Sequence, residues 1–407
     1  MRTGRAPCSG SPAPAVGPDP YRRTPGARRR WVGTADPGPR WHAACRPPVS
    51  FHGVVCVLCS TDLAVHHDVR RAALRRVRPE CAECCPWGAL MRGVPRGMSA
   101  SLAEALAVLY IGLIAAVAKA SGHAYVLFPE LAALGHDVLK RPAGTWARAP
   151  LMLVATPLLT AVIGTLLARH LPFGLLAVML DVGFAVVVIA LLKSPIAPAI
   201  SAGLLPLVLG VRSWGYPPSL LIGTGLLAGI AALRTRFAPP AVDPTPEDRV
   251  DDEVESAPGK LAWLPVFVLF LALSALLSQV TGWRLVLFPP LVVIGFEAFA
   301  HAEVCPWARR PVALMLACVL TATAGLASIA LLGAGPLGAM CSLLAGVIVL
   351  RVLDLHVPPA LAVGLLPFVM PHPSARYAAA VLLGTALETG LFLLWRRLVP
   401  GVPARAR

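Results

Sequence analysis

Residues 194–206 read SPIAPAISAGLLP, and residues 355–367 read LHVPPALAVGLLP. The second stretch follows the first by 161 residues. Pro198-Ala199 returns as Pro359-Ala360, and Gly203-Leu-Leu-Pro206 returns as Gly364-Leu-Leu-Pro367. The same offset holds through Trp146-Ala-Arg148 and Trp307-Ala-Arg309, Pro150 and Pro311, Thr160 and Thr321, Gly164 and Gly325, Tyr216 and Tyr377, and Gly223-Thr224 and Gly384-Thr385. Just upstream, Val126-Leu-Phe-Pro129 returns as Val286-Leu-Phe-Pro289 after 160 residues. Apolar sequences match one another easily because their alphabet is small. Trp, Arg, Pro and Gly recurring at one constant offset are much harder to obtain that way. The chain therefore reads as one unit present twice in tandem.

The material of that unit sets the fold class. Of 407 residues, 57% are hydrophobic and 14% charged, against roughly 45–50% and about 25% in soluble domains. This balance excludes an ordinary soluble enzyme or a nucleic-acid binder. Only 6% of residues are aromatic, which argues against a barrel with aromatic girdles. The expected fold is all-α, a polytopic transmembrane helical bundle in which each repeat holds five to six hydrophobic segments. The segments fall near 101–119, 122–139, 150–168, 171–192, 195–211 and 216–234, and again near 261–280, 283–300, 311–332, 334–353, 356–371 and 376–395. Repeat 1 occupies 98–234 and repeat 2 occupies 261–397, with a basic tail at 398–407. The acidic, Pro-bearing stretch 235–260 between them reads as an extended, solvated connector.

Lys and Arg set the orientation. Six crossings per repeat place 15 of the 20 basic residues after Met98 on one side, which is then the cytoplasmic side of the cell membrane and holds both termini. Five crossings, with Leu-Phe-Pro re-entrant, would invert the repeats. The charge count favours six, although Pro129 and Pro289-Pro290 make that segment a poor continuous helix.

The first 97 residues are different material, with 16 Arg, no Lys and 6 acidic residues. No apolar h-region follows the charged start, so this is not a signal peptide. Cys56-x2-Cys59 and Cys81-x2-Cys84 have the spacing of a thiolate zinc site. The competing reading is a basic disordered tail or upstream sequence, since Met98 opens directly onto a membrane segment. That reading makes residues 1–97 dispensable.

Function is sought where helices break. Backbone groups freed inside a bilayer must face protein or water, and paired Pro-interrupted segments in two repeats point to a transporter's binding site. The candidates are Pro129, Pro198, Pro206, Pro289, Pro358, Pro359 and Pro367. Pro198 and Pro359 are expected to free a carbonyl each and to open half-helices whose positive ends suit an anion. Ionisable groups within spans add Glu130 and Asp181, with His356 at the entrance to the second Pro-rich segment. Asp137, Asp354 and Lys193 read as interfacial charges. Signatures of phosphate-binding loops, HExxH metalloproteases and Gly-x-Ser-x-Gly hydrolases are missing, so an enzyme is the weaker class and no cofactor is called for.

The order of segments resembles the HPP family of integral membrane proteins. The likeness rests on Leu-Phe-Pro, the Trp/Arg/Pro loop entering a Gly-bearing helix, and the segment His356-Val-Pro358-Pro359-Ala360 with its counterpart Pro195-Ile-Ala-Pro198-Ala199. It covers about 105–235 and 265–396. Val357 splits the family's His-Pro-Pro, and the first copy has no His. The resemblance implies small-anion transport, some plant members being associated with nitrite in plastids. The expected function is passage of a small solute, an anion by this implication, between two pseudo-symmetric halves in the lipid bilayer. A homo-oligomer is compatible, nucleic acid is not a partner, and a non-transporting scaffold is the rival class.

Overall fold

The computed structural model describes residues 100–237, 246–256 and 261–398, and among them every regular element is helical. The first half comprises α1 (Ala100–Ser121), α2 (Leu131–Lys140), α3 (Pro150–His170), α4 (Leu175–Leu192), α5 (Ala199–Leu209) and α6 (Tyr216–Phe237). A short helix α7 (Pro246–Val254) follows. The second half comprises α8 (Leu264–Thr281), α9 (Pro289–Ala300), α10 (Pro311–Leu332), α11 (Pro336–Val352), α12 (Pro358–Leu365) and α13 (Arg376–Leu398). Cys56, Cys59, Cys81 and Cys84 lie outside the described residues.

Local chemistry sets the boundaries. Proline starts α3, α9, α10, α11 and α12, where its missing N–H costs nothing and its fixed φ is already helical. Gly210 and Gly282 stop α5 and α8 in the left-handed region, with φ of 72° and 73°.

Among the described residues, seven helices are long and apolar enough to cross a membrane: α1, α3, α4, α6, α8, α10 and α13. With 17 residues, α11 is just shorter. Their outward faces carry leucines such as Leu151, Leu191 and Leu331, at 71%, 78% and 82% exposure. Hydrocarbon tolerates such an outside and water does not. The bundle is compatible with an integral membrane protein.

The remaining apolar helices correct the expected spans at 122–139, 195–211, 283–300 and 356–371. Each is a short helix (α2, α5, α9 or α12) preceded by a stretch without α-helix. These helices have 10, 11, 12 and 8 residues. At about 1.5 Å per residue they reach about half of a bilayer's hydrocarbon core. Nearly every residue in all four is buried. They form the centre, where α2 packs on α12, α9 packs on α5, and α9 meets α12. The long helices interlock around them, with α1 on α11 and α8 on α4.

Each short helix and its lead carry the chain between the two ends of the bundle. Arg234 near the end of α6 donates to the Leu139 carbonyl at the end of α2 (3.0 Å), and Glu104 at the start of α1 pairs with Arg351 at the end of α11. At the opposite end Arg169, finishing α3, donates to the Arg212 carbonyl just past α5 (2.7 Å).

Over 246–256 the chain departs from the extended connector expected of 235–260. Pro246 and three acids in its first turns favour a helix start, and α7 tucks Asp251 and Glu255 out of solvent. Asp137, expected at an interface, is wholly buried, because Arg141 one turn on pairs with it. Lys193 and Asp354 are exposed and hold matching left-handed conformations, each with φ of 49°.

Candidate functional site

The prolines divide into two kinds. Pro198 sits at the N-cap of α5, and Pro358 and Pro359 form the first turn of α12. First-turn N–H groups have no intrahelical partner, so neither Pro198 nor Pro359 frees a carbonyl, contrary to the expectation. Pro206 lies inside α5, and Pro367 lies just past the end of α12 in a 3-10 turn (Leu366–Val369); neither has an N–H to offer the carbonyl four residues back. Both carbonyls are satisfied in the same way. The Tyr216 hydroxyl donates to the Ala202 carbonyl at 2.8 Å, and the Tyr377 hydroxyl donates to the Val363 carbonyl at 2.7 Å. The helices behind them touch backbone to backbone, since a methyl on Gly164 would run into the Gly203 carbonyl and one on Gly325 into the Gly364 carbonyl. Thr160 clamps the same contact by donating to the Ala199 carbonyl at 2.7 Å.

Uncompensated acids gather at this centre. Glu130, which follows Pro129 and caps α2, is 1% exposed, and neither carboxyl oxygen has a hydrogen-bond partner. It faces Ser201 of α5, whose hydroxyl stands close enough to stabilise its charge. It also lies within electrostatic reach of Tyr216 and Tyr377, one from each half. Asp181 on α4 is equally buried and unpartnered, its oxygens 3.1 and 3.2 Å from where a Gly203 methyl would stand. In the other half that place belongs to Ser342, which donates to the Gly364 carbonyl at 2.8 Å. Pro289 opens α9, and Pro290 occupies the place of Glu130. The structure thus gathers Pro129, Glu130, Pro198, Pro206, Pro289, Pro358, Pro359 and Pro367 on the four central helices and their leads, with Asp181 against them.

His356 belongs elsewhere. At the end of the bundle where α2 and α9 finish, Arg141 is buried among carboxylates. It binds Asp137 at 2.7 Å, contacts Glu255, and reaches Asp251 at 3.5 Å and Asp252 at 3.9 Å. The acids around Arg141 hold it firmly charged. Burial, then the neighbouring Asp137, pushes Glu255 well above the usual carboxylate range. The His356 imidazole lies 3.2 Å from Asp251 and 4.0 Å from Asp137. Burial and the Arg141 charge lower it to about 3, so the ring is neutral at pH 7.

This cluster was missed in the sequence, apart from the readable one-turn spacing of Asp137 and Arg141. Tyr216 and Tyr377 matched at the constant offset but suggested no role. Their place ten residues after a proline in both copies was the available signal. Among the described residues no group of three His, Cys, Asp or Glu side chains could hold a metal ion.

No protein-family model, curated protein or solved structure matches the chain. Function must therefore be argued from these residues.

At the opposite end a cavity of about 360 Å³ opens between α1, the 333–335 loop and Phe368, with Lys119 on its wall. Leu127, from the lead into α2, also lines it.

Proposed function

We propose that this chain is an integral membrane transporter that passes a small anion between two tandem copies of an HPP-type unit, together with a proton carried by Glu130. The observation that supports it is Glu130 itself, an unpartnered buried carboxyl where the start of one half-length helix meets Ser201 of another. Starts of helices carry partial positive charge. Four of them lie inside this bundle, on α2, α5, α9 and α12, and only the first is capped by an acid. A carboxylate and an anion cannot both stay ionised in one dry site. An anion can enter there only while Glu130 is protonated, which couples the two movements.

Proteoliposome flux tests the reading, with a panel of small inorganic and carboxylate anions under an imposed pH gradient. Uptake driven by the acid side is expected, with Glu130→Gln transporting independently of the gradient. Folded protein that moves no anion under any gradient would instead favour the scaffold reading. A gradient response that survives in Glu130→Gln would remove the role of Glu130.

A further inference from the structure

The helix between the two halves touches both of them across their junction. From the first half, Thr145 donates its backbone N–H (2.9 Å) and its hydroxyl (2.6 Å) to Asp252, Arg148 pairs with Asp252 at 2.9 Å, and Arg141 contacts Asp251 and Glu255. From the second half come His356, 3.2 Å from Asp251, and His301, 3.1 Å from the Ser256 carbonyl. Val254 is buried beneath α7. Under the helix only about 10 Å³ of space is left, lined by residues including Trp146 and Trp307, the same place in the two copies, and by Glu297 and Pro358. That is room for about one water. The seal lies at the end of the bundle where α2 and α9 finish.

We propose that α7 is a removable plug, which closes the passage between the halves at this end while docked and opens it on release. This rests on the transport reading for its purpose, though not for its geometry. The contacts suit a reversible device. Six of the eleven residues of 246–256 are acidic, so the helix leaves readily for water. Arg141 keeps Asp137 as a partner when α7 departs, which avoids stranding a buried cation. An apolar seal of equal size would have no such fallback.

The test uses the full chain with its native cysteines replaced by serine. A reporter thiol, introduced by Ser201→Cys, stands at the buried centre, and a water-soluble methanethiosulfonate reagent reads its accessibility. Neutralising the plug (Asp251→Asn, Asp252→Asn, Glu255→Gln) is expected to speed labelling of this thiol at least tenfold. A second variant keeps the plug's other contacts: Thr145→Cys with Asp252→Cys, oxidised to a disulfide, should slow labelling relative to its reduced form. If neither variant changes the labelling rate, α7 is not a plug. If labelling responds while no anion is transported by any variant, the plug stands and the transport reading falls.

Discussion

Removing the hydroxyl of Tyr216 should cost stability only because residue 206 is proline. In Tyr216→Phe the Ala202 carbonyl loses the donor that stands 2.8 Å away and remains buried against Pro206, which has no N–H. An unsatisfied buried carbonyl costs about 1–3 kcal/mol. Chains unfolded within a membrane find other partners, which draws the expected loss toward about 1 kcal/mol. Pro206→Ala supplies the missing N–H one turn along the helix, so in that background Tyr216→Phe should cost less than half as much. The cycle should then show a coupling of about 0.5–1.5 kcal/mol, above the roughly 0.3–0.5 kcal/mol within which independent sites add. The assay is equilibrium unfolding of the purified full chain in mixed micelles, titrated with denaturing detergent. Tyr377 and Pro367, joined through the Val363 carbonyl at 2.7 Å, provide an independent second cycle. Additive costs in both halves would refute the pairing of tyrosine with proline-freed carbonyl.

Three further outcomes can be read with the same preparation. Arg141→Gln leaves Asp137, Asp251 and Glu255 without their shared cation, all at 9% exposure or less, and should cost about 3–5 kcal/mol in the unfolding titration; adding Asp137→Asn should recover part of it. Gly164→Ala and Gly325→Ala should each lower stability by about 1–3 kcal/mol by forcing two backbones apart, whereas Gly183→Ala, with open space around it, should not. Asp181→Ser should retain stability in the same titration, because it reproduces the arrangement of Ser342 in the other half, while Asp181→Leu, bulkier against Gly203, should lower it by about 1–3 kcal/mol.

Apolar segments and the prolines were legible because hydropathy survives in a one-dimensional string. The role of each proline was not. Whether a proline frees a carbonyl depends on where its helix starts, and uniformly apolar segments carry no periodicity to mark a start. Pro198 and Pro359 therefore looked like helix interruptions, yet they open helices; Pro206 is the one inside a helix, and Pro367 follows the end of α12. The acidic linker misled for a different reason. Its composition reads as solvated, and the partner that draws it inward, Arg141, lies more than a hundred residues earlier. A pairing at that distance leaves no mark in local composition.

Taking the chain as two copies, the features that occur twice differ in kind from those that occur once. The Tyr–Pro carbonyl bonds, the Gly164–Gly203 and Gly325–Gly364 contacts, and the paired Trp146 and Trp307 are shared by both halves. All of them concern packing and satisfied backbone. Several ionisable groups, by contrast, stand in one half only. Glu130 faces Pro290 in the alignment of copies, Asp181 faces Ser342, Lys119 faces Gln279, and His356 faces Pro195. Single placement suits them, because a buried charge costs several kcal/mol wherever it stands. The chemistry of the molecule should therefore be sought in the residues that have no counterpart at the matched position, and at the centre these are Glu130 and Asp181.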